Sequence, residues 1–103
     1  MKTILHKGVE VTYDEQCVNS YRWQKQMNSG NAQRSSRALS RLFCGRDEYY
    51  AYAISTKEPM DYEEWAALDE DALDLLDGGT DTMGVMAELL DAITEDVGQA
   101  AKN

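Results

Sequence analysis

Thr82-Met-Gly-Val-Met-Ala-Glu-Leu-Leu-Asp-Ala-Ile-Thr-Glu-Asp-Val-Gly-Gln-Ala-Ala-Lys-Asn103 sets the fold class of this chain. Met83, Met86, Leu90, Ile93 and Val97 recur at steps of three and four, which aligns them along one side of a helix. Glu88, Asp91, Glu95 and Asp96 fall mostly off that side. Gly98 is expected to end the helix by adopting the left-handed conformation open to glycine. Residues 98–103 then form a flexible tail. The pattern describes a C-terminal helix docked on a small core.

Working outward, the acidic stretch before it carries a second helical stripe. Trp65, Leu68, Ala72, Leu75 and Leu76 predict a helix over Tyr62–Asp77, with Asp61 and Glu64 as a capping-box-like pair. Its outer face holds Glu63, Glu64, Asp69, Glu70, Asp71 and Asp74. A calcium loop over Asp69–Asp77 fails, because Leu73 takes a ligand position and Asp74 stands where the loop needs glycine. Gly78-Gly79 stops this helix, and Thr80, Asp81 or Thr82 caps the last one.

The first half reads similarly. Val9, Val11 and Tyr13 alternate with Glu10 and Thr12, the period of a strand, and Lys7-Gly8 is a turn, so Thr3–His6 and Val9–Tyr13 form a hairpin. Asp14 caps a helix over Glu15–Asn28, with Cys17, Val18, Tyr21, Gln24 and Met27 on one side. Trp23 lies off that side, where packing is favoured over a contact role. After the break at Asn28–Asn31 comes a helix over Ala32–Cys44, ended by Gly45. A short helix then opens at Arg46, with Tyr49 or Tyr50, Ala53 and Ile54 toward the core. Ser55–Pro59 is a loop. The whole is one domain: a hairpin over residues 1–13, then about four to five helices over 14–97, a mainly α fold.

Charge is unevenly placed. The net charge is −9, yet residues 16–46 contain Arg22, Lys25, Arg34, Arg37, Arg41 and Arg46 and no acid. Residues 47–103 hold sixteen acids against Lys57 and Lys102. Two halves of opposite sign attract each other within one fold or between copies. Arg34, Arg37 and Arg41 share one side of their helix and can meet phosphate or carboxylate. Carboxylate is favoured, since the chain is rich in acids and has no nucleic-acid motif. The acidic half alone reads as a mimic of DNA, the competing interpretation.

Catalytic patterns are missing. His6 is the one histidine, expected at the surface, and it has no partner for metal binding or base work. Cys17 and Cys44 form no metal or redox spacing and are expected as small buried thiols. No Gly-rich phosphate loop, secretory signal or membrane-spanning run is present in the sequence. The expectation is a cytosolic, non-enzymatic interaction domain without metal or cofactor.

The order of features resembles one family. Lys7-Gly-Val-Glu-Val leads to a helix with Tyr21-Arg-Trp-Gln-Lys, then Leu39-Ser-Arg-Leu-Phe-Cys-Gly-Arg-Asp-Glu-Tyr, and finally Met86-Ala-Glu-Leu-Leu-Asp-Ala-Ile-Thr-Glu with a Lys-Asn end. This looks like the tail assembly chaperones of long-tailed bacteriophages. The resemblance implies a helper in the host cytoplasm, left out of the virion, that binds the tape measure protein and helps recruit major tail protein. It also implies a longer form made by a ribosomal frame slip, and Ala101-Lys102-Asn103 is compatible with a slippery run of adenines. No catalytic site is implied. Candidate contact residues are Arg34, Arg37 and Arg41, with Asp69, Asp71 and Asp74 as their complement in self-association, and Met83 and Met86 as adaptable apolar contacts. No nucleic acid or membrane partner is expected.

Overall fold

The computed structural model describes residues 1–56, 60–77 and 81–102, with side chains for all of these except 77 and 99–102. Strands β1 (Lys2–His6) and β2 (Val9–Tyr13) form an antiparallel hairpin in which Lys2 faces Tyr13 and His6 faces Val9. Lys7 and Gly8 both have positive φ, 50° and 84°. That is the two-residue turn whose twist matches the strands, and glycine makes it inexpensive. Alternation then sorts the side chains. Val9, Val11 and Tyr13 are buried, with Lys2, Ile4 and His6 half-buried opposite them. Thr3, Leu5 and Glu10 are exposed on the other face, where Thr3 and Thr12 hydroxyls meet at 3.0 Å. His6, expected at the surface, is half-buried: the two-residue period puts it on the inner face, and its Nε2 is sealed from solvent without a hydrogen-bond partner among the described residues.

The expected helix over Glu15–Asn28 is two helices, α1 (Glu15–Val18) and α2 (Tyr21–Met27). Asp14 caps the first, accepting from the Gln16 amide at 3.0 Å. Ser20 restarts the second in extended conformation, its hydroxyl accepting from the Trp23 amide at 3.3 Å. Serine offers the backbone this alternative to a continuous helix. The restart turns Trp23 inward, where it is buried and its indole N–H donates to the Ala38 carbonyl at 2.9 Å. Tyr21, counted on the inner stripe, is exposed instead.

Helix α3 (Ala32–Phe43) begins at Asn31, whose side chain accepts from the Arg34 amide at 3.0 Å. It buries Ala38, Leu42 and Phe43. Its end lies one residue before the expected stop: Cys44 takes the left-handed conformation at φ 55°, followed by Gly45 at φ 80°. The Gly45 amide returns to the Ser40 carbonyl at 2.8 Å, closing the last turn. The stop leaves Cys44 exposed, against the expectation of two buried thiols; Cys17 is the buried one. Helix α4 (Asp47–Thr56) carries acids in its first turn and buries Tyr50, Ala51, Ala53 and Ile54. The predicted loop over Ser55–Pro59 starts too early, because Ser55 and Thr56 still belong to α4, where the hydroxyls of both bond back to the Tyr52 carbonyl; residues 57–59 lie outside the described residues.

The acidic helix also divides, into α5 (Tyr62–Ala66) and α6 (Glu70–Asp77). Asp61 caps α5 by accepting from the Glu63 amide at 2.9 Å, and Asp69 starts α6 by accepting from the Ala72 amide at 2.8 Å. Trp65 is buried, but Leu75, a predicted stripe member, is 84% exposed. The break at Asp69 rotates the two pieces out of register. The expected Gly78-Gly79 stop lies outside the described residues.

Helix α7 (Thr82–Lys102) starts at Asp81, whose carboxylate accepts from the Gly84 amide at 2.9 Å. It does not stop at Gly98: the backbone stays helical through residue 102, and Gly98 lacks positive φ. A glycine inside a helix weakens it without breaking it. The docked side is Met86, Leu89 and Ile93, with Leu90 and Val97 packed beside them, while Met83 is 78% exposed. These side chains meet α4 and the inner face of the hairpin, with α1–α3 closing the other side. Each large apolar side chain so buried contributes about 1.5–3 kcal/mol. The fold is mainly helical with an N-terminal hairpin, as expected, although the described residues form seven helices because two of the predicted ones are split.

Candidate protein interfaces

Three surfaces combine exposed chemistry with a concave shape. The first lies between α2 and α3. Arg22, Lys25 and Arg34, with Gln26, Asn28 and Ser29, line an open cleft of about 590 Å³. The turn at residues 28–31 reverses the chain, so Arg34 at the start of α3 comes beside the cations of α2. Arg37 and Arg41, grouped with Arg34 by helical spacing, are exposed but do not line this cleft. No described acid forms an ion pair with any of the three arginines; the ion pairs among described residues join Lys2 to Asp96 and Lys7 to Glu88.

The second surface is the rim of α6. A cavity of about 180 Å³ is lined by Tyr52 and Trp65, by Leu73 and Leu76, and by Glu48, Asp74 and Thr82. Trp65 is buried there and Tyr52, Leu73 and Leu76 are half-buried, whereas Glu48 and Asp74 are exposed. Leu75 and Met83 are fully on the outside nearby in the chain. Of the predicted acidic contacts, Asp71 and Asp74 are exposed, and Asp69 is exposed but engaged as the start of α6. Met86, paired with Met83 by spacing, is buried, so its side chain belongs to the core. No group of three or more histidine, cysteine or acidic side chains among the described residues is placed to hold a metal ion.

The third surface was not anticipated as a site. The sequence shows only closely spaced tyrosines, which suggest a flat contact area. Tyr49, Tyr62 and Trp65 form a ring cluster: Tyr49 meets Tyr62 edge-on at 5.4 Å and Trp65 at 5.7 Å, and Tyr62 stacks on Trp65 at 6.3 Å. The Arg46 guanidinium sits 4.2 Å over the Tyr62 ring, a cation–π contact worth about 0.5–1 kcal/mol when exposed. The Tyr49 hydroxyl donates to the Met60 carbonyl, and burial pushes its pKa up. Between this cluster and β2 runs a groove of about 510 Å³, walled by Gly8, Val9, Glu10 and Thr12 on one side and by Arg46, Tyr49, Asp61, Tyr62 and Glu63 on the other. The signal in sequence is the spacing of three between Arg46 and Tyr49 and between Tyr62 and Trp65, which places each pair on one helix side.

No helix among the described residues is long and apolar enough to cross a membrane. No protein-family model matches the chain, and neither a curated protein nor a solved structure is similar to it.

Proposed function

We propose that the protein is a non-enzymatic tail assembly chaperone of long-tailed bacteriophages. In this reading it acts in the host cytoplasm and is absent from the finished virion. It binds the tape measure protein, keeps it soluble, and helps recruit major tail protein. What supports the reading is the cavity lined by Tyr52, Trp65, Leu73 and Leu76 with Glu48 and Asp74, together with the exposed Leu75 and Met83, chain neighbours of its lining residues Leu76 and Thr82. A long amphipathic helix presents apolar anchors every third or fourth residue and docks in such a depression. Methionine adapts to anchors of differing shape. The order of sequence features resembling that family supports the same assignment.

The segregated charge supports a second part of the role. Arg34, Arg37 and Arg41 on one helix and Asp71 and Asp74 on another are all exposed. Opposite patches on one chain allow copies to line up along a long partner. A DNA-mimic role is less well served, because the cations of α2 and α3 form a surface of their own.

The test is co-expression with the tape measure and major tail proteins of the same phage. Recovery of the tape measure protein with the tagged chain, lost in a Leu75→Asp/Met83→Asp double variant, is expected. Failure to recover either partner would sink the assignment.

A further inference from the structure

The groove beside β2 has a property that the rim of α6 lacks: one of its walls is a strand edge. In the hairpin register, His6 and Val9 flank the two-residue turn and form a hydrogen-bonded pair. The alternation of an antiparallel ladder then turns the amide and carbonyl of Glu10 and of Thr12 away from β1. Both residues line the groove. At Thr12 the protein supplies its own partner, because the Tyr50 hydroxyl accepts from the Thr12 amide at 3.1 Å. Two residues earlier, no described group bonds to the Glu10 backbone. An outward amide and carbonyl on one strand residue are the contacts a neighbouring extended chain makes.

The opposite wall selects among such chains. Asp61 and Glu63 are exposed there and Glu10 is exposed on the strand, while Arg46, the one cation among the described lining residues, is already laid over Tyr62. The groove therefore favours positive side chains, and its tyrosine rings add cation–π sites. Its volume of about 510 Å³ is enough for a few residues.

We propose that this groove binds a short extended peptide with basic side chains, which adds alongside β2 through the backbone of Glu10. This is separate from helix docking at α6 and does not depend on it.

The experiment uses the full chain labelled with ¹⁵N and a capped hexapeptide, Thr-Lys-Val-Arg-Val-Thr. Its acidic counterpart, Thr-Glu-Val-Asp-Val-Thr, is run in parallel. The basic peptide is expected to shift the amides of residues 8–12, 46, 49 and 61–63, with saturation at or below about 1 mM. Glu10→Pro removes the outward amide without touching a ladder bond, and should weaken binding at least about tenfold. Glu10→Ala keeps the amide and removes one of the three carboxylates, so it should weaken binding less than Glu10→Pro does. Glu63→Lys should weaken the basic peptide and strengthen the acidic one. Preserved amide dispersion away from the groove shows that each variant is folded. No shift at about 1 mM, shifts centred elsewhere, or full binding by Glu10→Pro each overturns the proposal.

Discussion

The Tyr13 hydroxyl donates to the Asp96 carboxylate at 3.0 Å, linking residues 83 positions apart. Lys2 reaches the same carboxylate at 2.8 Å, and Lys7 pairs with Glu88 further along the helix. β1 and α7 thus run side by side in opposite directions, laced at both ends.

These contacts make stability depend on acid. The Lys2 hydrogen bond, then that of Tyr13, holds the Asp96 pKa below its ordinary 3.8, and Lys7 holds Glu88 below 4.5. The unfolded chain therefore binds more protons than the folded one in that window, so stability rises with pH. It is complete above the ordinary values and is lost as pH falls through the depressed ones. Urea midpoints between about pH 6 and pH 2 should fall, and Asp96→Asn should flatten part of that slope. An unchanged slope in Asp96→Asn would show that the lacing is not formed.

The same pair acts with the opposite sign in alkali. Burial, then Asp96, pushes the Tyr13 hydroxyl pKa above its usual 10.0. Above that value the unfolded chain releases the proton first, so stability falls with rising pH. Tyr13→Phe should remove this loss, read from melting temperatures between about pH 9 and pH 11.

Trp23 carries the junction of α2 and α3. Trp23→Phe removes the indole donor from the Ala38 carbonyl, which keeps its own helix bond, and should cost about 0.5–1.5 kcal/mol. Trp23→Ala should cost about 3–5 kcal/mol. Urea midpoints at constant m-value check both. A cost below about 0.5 kcal/mol for Trp23→Phe would contradict the buried bond.

Gly98 separates two descriptions of the last helix. Its added Cβ would meet nothing within 4 Å. If the helix continues through it, Gly98→Ala stabilises by about 0.5–1 kcal/mol. A left-handed stop would make the same change destabilising. At Gly84 a Cβ would lie 2.2 Å from the Asp81 carboxylate that starts the helix. There the lost cap, about 1 kcal/mol, offsets the gain in helix propensity, so thermal melting should show Gly98→Ala well above Gly84→Ala.

The two thiols should react at separate rates. Cys44 is exposed, whereas burial raises the Cys17 thiol pKa and hides it. A thiol-specific dye should label one cysteine in the native protein and the second only on unfolding. Cys44→Gly should also stabilise, since a side chain at φ 55° costs about 1–2 kcal/mol.

Much of the architecture is written locally. The Lys7-Gly8 turn, the caps at Asp14 and Asp61, and the burial of Ala53 and Ile54 follow from residue type and spacing, while the choice between Tyr49 and Tyr50 for the core is made by the packing, which buries Tyr50. The helix breaks at Ser20 and Asp69 are hidden, because an apolar stripe runs across each and conceals a capping residue within it. The shapes of the candidate surfaces were legible only in part. Arg34 has its partners on another helix, brought close by a turn, while helical spacing assigned it Arg37 and Arg41. The Glu10 edge depends on which way a ladder alternates, which only the register of the turn decides.

The lacing between β1 and α7 also sets an order of events during synthesis. A two-stranded hairpin is marginal alone. β1 waits for α7, and Lys7 waits 81 residues for Glu88. The nascent chain therefore leaves the ribosome with β2 able to meet α3 and α4, while the inner residues of β1, Ile4 and His6, lack their helix until residues 82–102 emerge. Closure of the core is a late, long-range step, and any factor that holds the emerging chain meets those residues first.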